Sequence, residues 1–458
     1  MNIDEATGTY YTDCIIVVLH HTNIKTVSDL MKILQDMLDT TIREQFSIEK
    51  MGIKVIERRF EELGIKLTDT QRKELSIALG KGDIDSFSLS IEDDQIPTEL
   101  LAMNPPKHGR ITLDIGDTDP VITEIADQFL DQFTEAIPEM ATDIGAIITS
   151  DLRKKAKRML RIRRKNTRRF ESDITDHWES AFDLLDTMIV IASEAGGDFN
   201  KEIRKSPPLG KGYLIEATTR LHARACQVSS EVLTLLKGGY ADGAHARWRC
   251  LHEIAVVLFF LASGEDETAE RYLLHEAIES HKAALSYQEH CDCLGYEPMT
   301  QDELTQMKQT KDVLIARFGK SFAGDYGWAE GALKKKYPTF RDIECSVEMS
   351  HMRPLYKMAS HNVHANPKGI FFKLCLHSKN SGVLPIGPSM FGLADPGHGT
   401  AISILQATTT LLTIEPNMDC LVVYDILRRF ANEAEEAFMK AHESLEKDIA
   451  CNKSVNRT

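Results

Sequence analysis

The chain has 458 residues, 42% of them hydrophobic and 27% charged, with a formal charge of -15. Two or three domains are expected at that length, and the composition belongs to a folded globular protein rather than a disordered one. The acidic balance excludes affinity of the whole surface for nucleic acid or membrane, so any polyanion site has to be local.

Residues 1–120 read as a separate helical N-terminal domain. "VSDLMKILQDMLDTTIREQF" carries helical spacing at Leu30, Ile33, Leu34 and Leu38, and "MGIKVIERRFEELG" repeats it and stops at Gly64. "SFSLSIEDDQIPTEL" alternates briefly, and "MNPPKHGRITLDIGDTDP" marks a boundary. From 121 to about 450 the chain reads as helix after helix. "HWESAFDLLDTMIVIASEAGG" and "YLIEATTRLHARACQVSSEVLTLLKGG" each end at a glycine pair that suits a left-handed cap. Further helices are predicted at 240–263, 267–290, 302–317, 339–363, 398–413 and 418–446. "IFFKLCLHSKNSGVLPIGPS" reads as a small β-hairpin. The expected fold is mainly α, an antiparallel helical bundle with a small β-hairpin insertion and a separate helical N-terminal domain.

Nine scattered cysteines, with no secretory signal read ahead of them, fit reduced thiols. The longest apolar runs are far short of the roughly 20 residues that cross a bilayer. A cytoplasmic protein without membrane association is expected.

The polar residues fall into two groups. "ARWRCLHE" places Arg249 and Glu253 at i,i+4, an ion pair, beside His245 and His252 on one helix face. Arg247 lies about 140° round the helix from His252. One reading is a buried polar stripe that ties helices together, because buried charge must find partners. Tyr356, Ser360 and His364 form a second stripe at i, i+4 and i+8, and Arg271 with His275 a third. Tyr326 and Trp328 sit in a glycine-flanked turn. Convergence of these stripes would make one polar pocket centred on His252 and His364. The second group is "RKKAKRMLRIRRKNTRR", residues 153–169, with eleven cations and no acid. Arg153, Lys157, Arg161, Arg164 and Arg168 share a face. A solvated helix is one reading, and a dock for RNA or another polyanion is the other.

Metal and cofactor signals are thin. His361 with His364, and His290 with Cys291 and Cys293, lack a second pair at zinc spacing. "GPSMFGLADPGHGTA" precedes a helix but lacks the Gly-Lys-Ser/Thr ending of a phosphate loop. Neither a metal nor a cofactor is expected.

The run Arg247-Trp248-Arg249-Cys250-Leu251-His252 resembles the Arg-x4-His motif of the HEPN-type helical ribonucleases, which pair two such motifs across a homodimer. That resemblance implies a metal-independent endoribonuclease of bacterial toxin or anti-phage type. His252 would move the proton of the 2′-hydroxyl or leaving oxygen and Arg247 would stabilise the phosphorane, with Arg249, Glu253 and His364 beside them. A broader likeness runs through "FESDITDHWESAFDLL", "LHARACQVSSEVLTLLKGGYADGAHARWRCLHEIAVV", "RYLLHE", "YGWA", "YKMASHNVHA" and "GPSMFGLADP". In that order they resemble the DUF5677 family of bacterial helical proteins, over about residues 150–440. No activity comes with that family. The alternative to the ribonuclease is a non-catalytic helical binding or scaffold protein whose cationic helix docks nucleic acid or an acidic protein.

Overall fold

The structure, a computed structural model, describes residues 48–79, 89–91, 95–103, 119–206, 208–376 and 386–455. The fold is mainly α, and no strand occurs among the described residues. The helix predicted at 27–46, and most of the alternating and boundary stretches before residue 119, lie outside them. The chain divides into two compact units, one within Thr12–Arg164 and one within Lys165–Thr458.

In the first unit, α1 (Ile48–Glu62) ends as its sequence requires. Gly64 takes φ +78°, and the chain turns into α2 (Asp69–Leu79). Phe60, Ile65 and Leu75 form a small core with Ile56 and Leu67. Buried Gln71 stitches it to the following segment, donating to the Ser90 carbonyl at 2.7 Å. A short α3 (Thr98–Met103) follows.

The long helix α4 (Asp119–Lys205) starts in this unit and continues into the second. The division falls inside α4 after Arg164, not at the boundary stretch near residue 120. α4 also runs on through Gly196 and Gly197, where a left-handed cap was expected. A Cβ on Gly196 would stand 2.4 Å from the His222 imidazole, so this glycine admits a neighbouring helix and ends nothing.

The neighbour is α5 (Gly212–Lys237), which does end at its glycine pair, with Gly239 at φ +77°. Next come α6 (Ala241–Ala262) and α7 (Asp266–Leu274). The helix predicted over 267–290 is broken at His275, and α8 (Glu276–Leu294) begins beyond it. A Thr300–Glu303 capping box opens α9 (Gln301–Phe318). After two 3-10 turns come α10 (Glu330–Leu333) and α11 (Phe340–Ser346). The single helix expected over 339–363 is also broken. Glu348 takes φ +59°, and Pro354 stands in the first turn of α12 (Arg353–Val363), where proline is tolerated. The chain ends with α13 (Pro367–Phe371), α14 (Ala394–Leu412) and α15 (Met418–Val455).

The core of the second unit lies where α4, α5, α6, α14 and α15 pack together. Trp178, Phe182 and Phe438 interlock with ring centroids 6.0–6.3 Å apart, and all three are buried. Burial of each such side chain stabilises by roughly 1.5–3 kcal/mol. The predicted hairpin is corrected: its first run enters as helix α13 followed by a turn, and residues 377–385 lie outside the described chain. Pro367 with the Asn366 side chain accepting from the Gly369 amide starts a helix there, which overrides the apolar alternation.

Candidate functional site

The α6 helix carries the residues of "ARWRCLHE" in two layers. The inner layer is a row of stacked rings. His245 and Trp248 lie 5.4 Å apart, Trp248 and His252 5.6 Å, and all three are buried. Trp248 donates its indole N–H to Ser403 Oγ of α14 at 3.1 Å. His252 has no exposed surface, and its Nε2 donates to Glu344 Oε1 of α11 at 3.1 Å. Glu344 is equally sealed, and its other oxygen meets Arg353 Nε of α12 at 3.0 Å. Burial pushes the His252 imidazole below its usual range, against the pull of Glu344. Nδ1 of His252 has no hydrogen-bond partner among the described residues.

The outer layer is half-buried. Arg249 meets Glu253 Oε1 at 3.1 Å, the ion pair that i,i+4 spacing predicts. It also donates to Tyr356 Oη at 2.6 Å and Ser360 Oγ at 3.0 Å, both on α12. Tyr356 in turn donates to Glu253 Oε1 at 2.5 Å. Burial, and then the adjacent Glu253 carboxylate, push the Tyr356 phenol up. So the stripes from 246–253 and 356–360 do meet, and they meet as a closed circuit in which each charge has a partner. Arg247 is outside it, turned to Glu231 of α5 in an ion pair. Arg247 and His252 therefore serve different neighbours, as their angular offset on α6 dictates.

His364 is not at the centre of this cluster. α12 stops at Val363, His364 takes extended φ −108° and ψ 143°, and its side chain is exposed. The i+8 position exists only while the helix lasts. His361 accepts from Asn366 Nδ2 at 2.8 Å, and Cys291 is buried while His290 and Cys293 are exposed. Among the described residues, no group of three or more His, Cys, Asp or Glu side chains is placed to hold a metal.

Arg271 and His275 do a separate job. Arg271 donates to the carbonyls of Trp328 at 3.1 Å and Gly327 at 3.3 Å, and His275 to that of Gly324 at 2.9 Å. They pin the turn carrying Tyr326, whose phenol burial and Glu253 push up. At Gly327 a Cβ would stand 2.4 Å from the Ser321 carbonyl. The glycine-rich stretch before α14 is likewise a tied loop: the Ser389 amide donates to the Gly239 carbonyl and its hydroxyl to that of Cys375.

Sequence reasoning missed Glu344, the residue that fixes His252. It stands 92 positions away, and nothing in "RDIECS" marks it as buried. It also missed buried His222, whose Nε2 lies 3.0 Å from Thr408 Oγ1 of α14 and which burial holds down at about 4.

The cationic run occupies α4. All of its eleven cations except Lys155 are exposed, and Lys155 pairs with Asp151 at 2.7 Å. None of the other ten has a carboxylate partner among the described residues. At 100° per residue, every cation but Lys155 and Arg163 falls within about 160° of arc. The partly covered Ala156, Met159 and Ile162 are on the remainder. This face carries charge with nothing in its own chain to answer it.

Compared with known proteins, residues 216–381 match the profile of DUF5677, a family of unknown function. The matched segment holds α6, the Glu344 cluster and α12. The match is shorter than the motifs suggest: "FESDITDHWESAFDLL" and "GPSMFGLADP" fall outside it. No curated protein and no solved structure matches the chain. No helix among the described residues is long and apolar enough to cross a membrane.

Proposed function

We propose that this chain is a helical-bundle binding protein that docks nucleic acid along the cationic face of α4. One observation carries the reading: ten exposed cations on a single helix stretch with no carboxylate partner among the described residues. Like charges at i,i+4 destabilise a helix, so this run works against its own fold unless a polyanion neutralises it. Phosphates spaced along a backbone do so, and release condensed counterions as they bind.

The polar cluster around α6 supports binding over cleavage. A general acid or base must reach the proton it transfers. His252 lies behind Glu344, Trp248 and Tyr356 with no exposed atom, and Arg247 is held on another side by Glu231.

The test is fluorescence anisotropy with labelled RNA and DNA oligonucleotides between 50 and 200 mM salt, with a polyglutamate peptide as the acidic-protein mimic. Five phosphate contacts give a log–log salt slope of about −4. Replacing Arg153, Lys157, Arg161 and Arg164 by Gln should weaken binding at least 30-fold. Failure to bind any nucleic acid at 50 mM salt, or equal binding of polyglutamate, would overturn the reading. So would RNA cleavage in EDTA that disappears in His252→Ala, which would restore the ribonuclease.

A further inference from the structure

From the distribution of charge on α4 we infer that the nucleic acid is a B-form DNA duplex, with this helix lying in its major groove. The inference rests on the nucleic-acid reading above and adds the class of ligand.

The nine cations of the arc are not spread evenly. Arg153, Lys157 and Arg164 lie along one edge, and Lys154, Arg158, Lys165 and Arg169 along the other. The two rows are centred about 110° apart at 100° per residue. Arg161 and Arg168 run between them. All nine are exposed. Cα atoms stand about 2.3 Å from a helix axis, and these side chains reach about 6 Å further. The charges of the two rows are then roughly 14 Å apart.

Two phosphate rails at that separation are the rims of the B-DNA major groove, which is about 12 Å wide and admits an α-helix. The run from Arg153 to Arg169 is about 24 Å long at 1.5 Å per residue. The groove is inclined to the duplex axis, so a straight helix of that length covers roughly a third to a half of a turn, with its central cations closest to both rims. A-form RNA offers no such fit, because its major groove is too deep and narrow for protein side chains to read. A single strand presents one rail, and one row would suffice for it. The face holds no Asn or Gln to pair with adenine, and Asn166 lies off it. Arg161 and Arg168, between the rows, face the floor, where arginine pairs with guanine O6 and N7, so any sequence preference is expected to be for guanine.

The experiment compares a 20-base-pair DNA duplex, the RNA duplex of the same sequence, and each single strand, at one salt concentration with the full chain. The DNA duplex should bind at least 10-fold more tightly than the RNA duplex. Neutralising either row alone (Arg153→Gln, Lys157→Gln, Arg164→Gln, or Lys154→Gln, Arg158→Gln, Lys165→Gln, Arg169→Gln) should cost a similar 10-fold or more. Arg163→Gln, off the face, should cost less than 2-fold. Bound protein should also shield guanine N7, on the major-groove floor, from dimethyl sulfate. Equal affinity for all of these nucleic acids, or full N7 reactivity in the complex, overturns the groove inference while the docking reading stands. No binding to any of them removes both. Circular dichroism of each variant separates lost binding from lost helix.

Discussion

The α6–α12 cluster and the cationic face of α4 are both dense in charge, and they handle it in opposite ways. Around α6 the charges close on one another: Arg249 on Glu253, and Arg353 on Glu344, which also accepts from His252. On α4 the charge is left open to water. Charge that is balanced internally holds a fold together, because separating it leaves a buried ion without a partner. Charge left unbalanced contributes nothing to the fold and is available to a second molecule. The pattern "ARWRCLHE" is the more eye-catching in sequence, yet it belongs to the first kind.

The contrast is open to breaking. Glu344→Ala should have the largest effect, about 3 kcal/mol or more of stability in urea unfolding, since it strands His252 and Arg353 together. A loss below 1 kcal/mol would mean that the inner layer is not closed.

Acid should come next. His222 is held neutral at about 4 by burial, and burial also lowers His245 and His252. The unfolded imidazole takes up its proton near 6.5. Stability is therefore fully present above pH 6.5 and falls as the pH drops toward 4. His222 alone contributes about 2 kcal/mol of loss between pH 7.5 and 5. Urea midpoints that stay level across that range in wild type, or keep their full slope in His222→Asn, would contradict it.

The glycine pair in α4 offers a paired measurement. Gly196→Ala should destabilise by roughly 1–3 kcal/mol, because the new methyl meets the His222 ring. Gly197→Ala meets nothing within 4 Å and should stabilise by up to about 1 kcal/mol. Thermal melts of the two variants should move in opposite directions.

The smallest effect on stability belongs to the cationic face. Converting Arg161 and Lys165 to Gln should leave the melting temperature unchanged or raise it by a degree or two, by relieving like-charge neighbours. A clear drop would show that the face is part of the architecture after all.

Local signals in the sequence were readable where the physics is local. Apolar periodicity placed α1, α5, α6, α9 and α14 to within a few residues. Gly64 and Gly239 marked real turns, and Arg249 with Glu253 marked a real pair. Reading failed where a distant residue decides. The pair Gly196–Gly197 looked like Gly238–Gly239 because each closes an apolar stripe, and only the position of His222 separates a close approach from a cap. His275 stands at the joint of two helices without glycine or proline, its ring committed to the Gly324 carbonyl. His364 kept its place in an i+8 stripe only on paper, since the stripe outlasted the helix.

Arg271 and His275 hold the 324–328 turn entirely through main-chain carbonyls. Carbonyls are common to every residue type, so these three hydrogen bonds do not depend on the side chains displayed, whereas Gly327, where no Cβ fits, and buried Trp328, packed on Phe260 and Tyr272, are set by their surroundings. Tyr326 is thus mounted on a fixed bracket. A change at Tyr326 would alter what faces Arg249 and Glu253 while the carbonyl bonds stay in place, and its cost would fall on the packing beside Phe340.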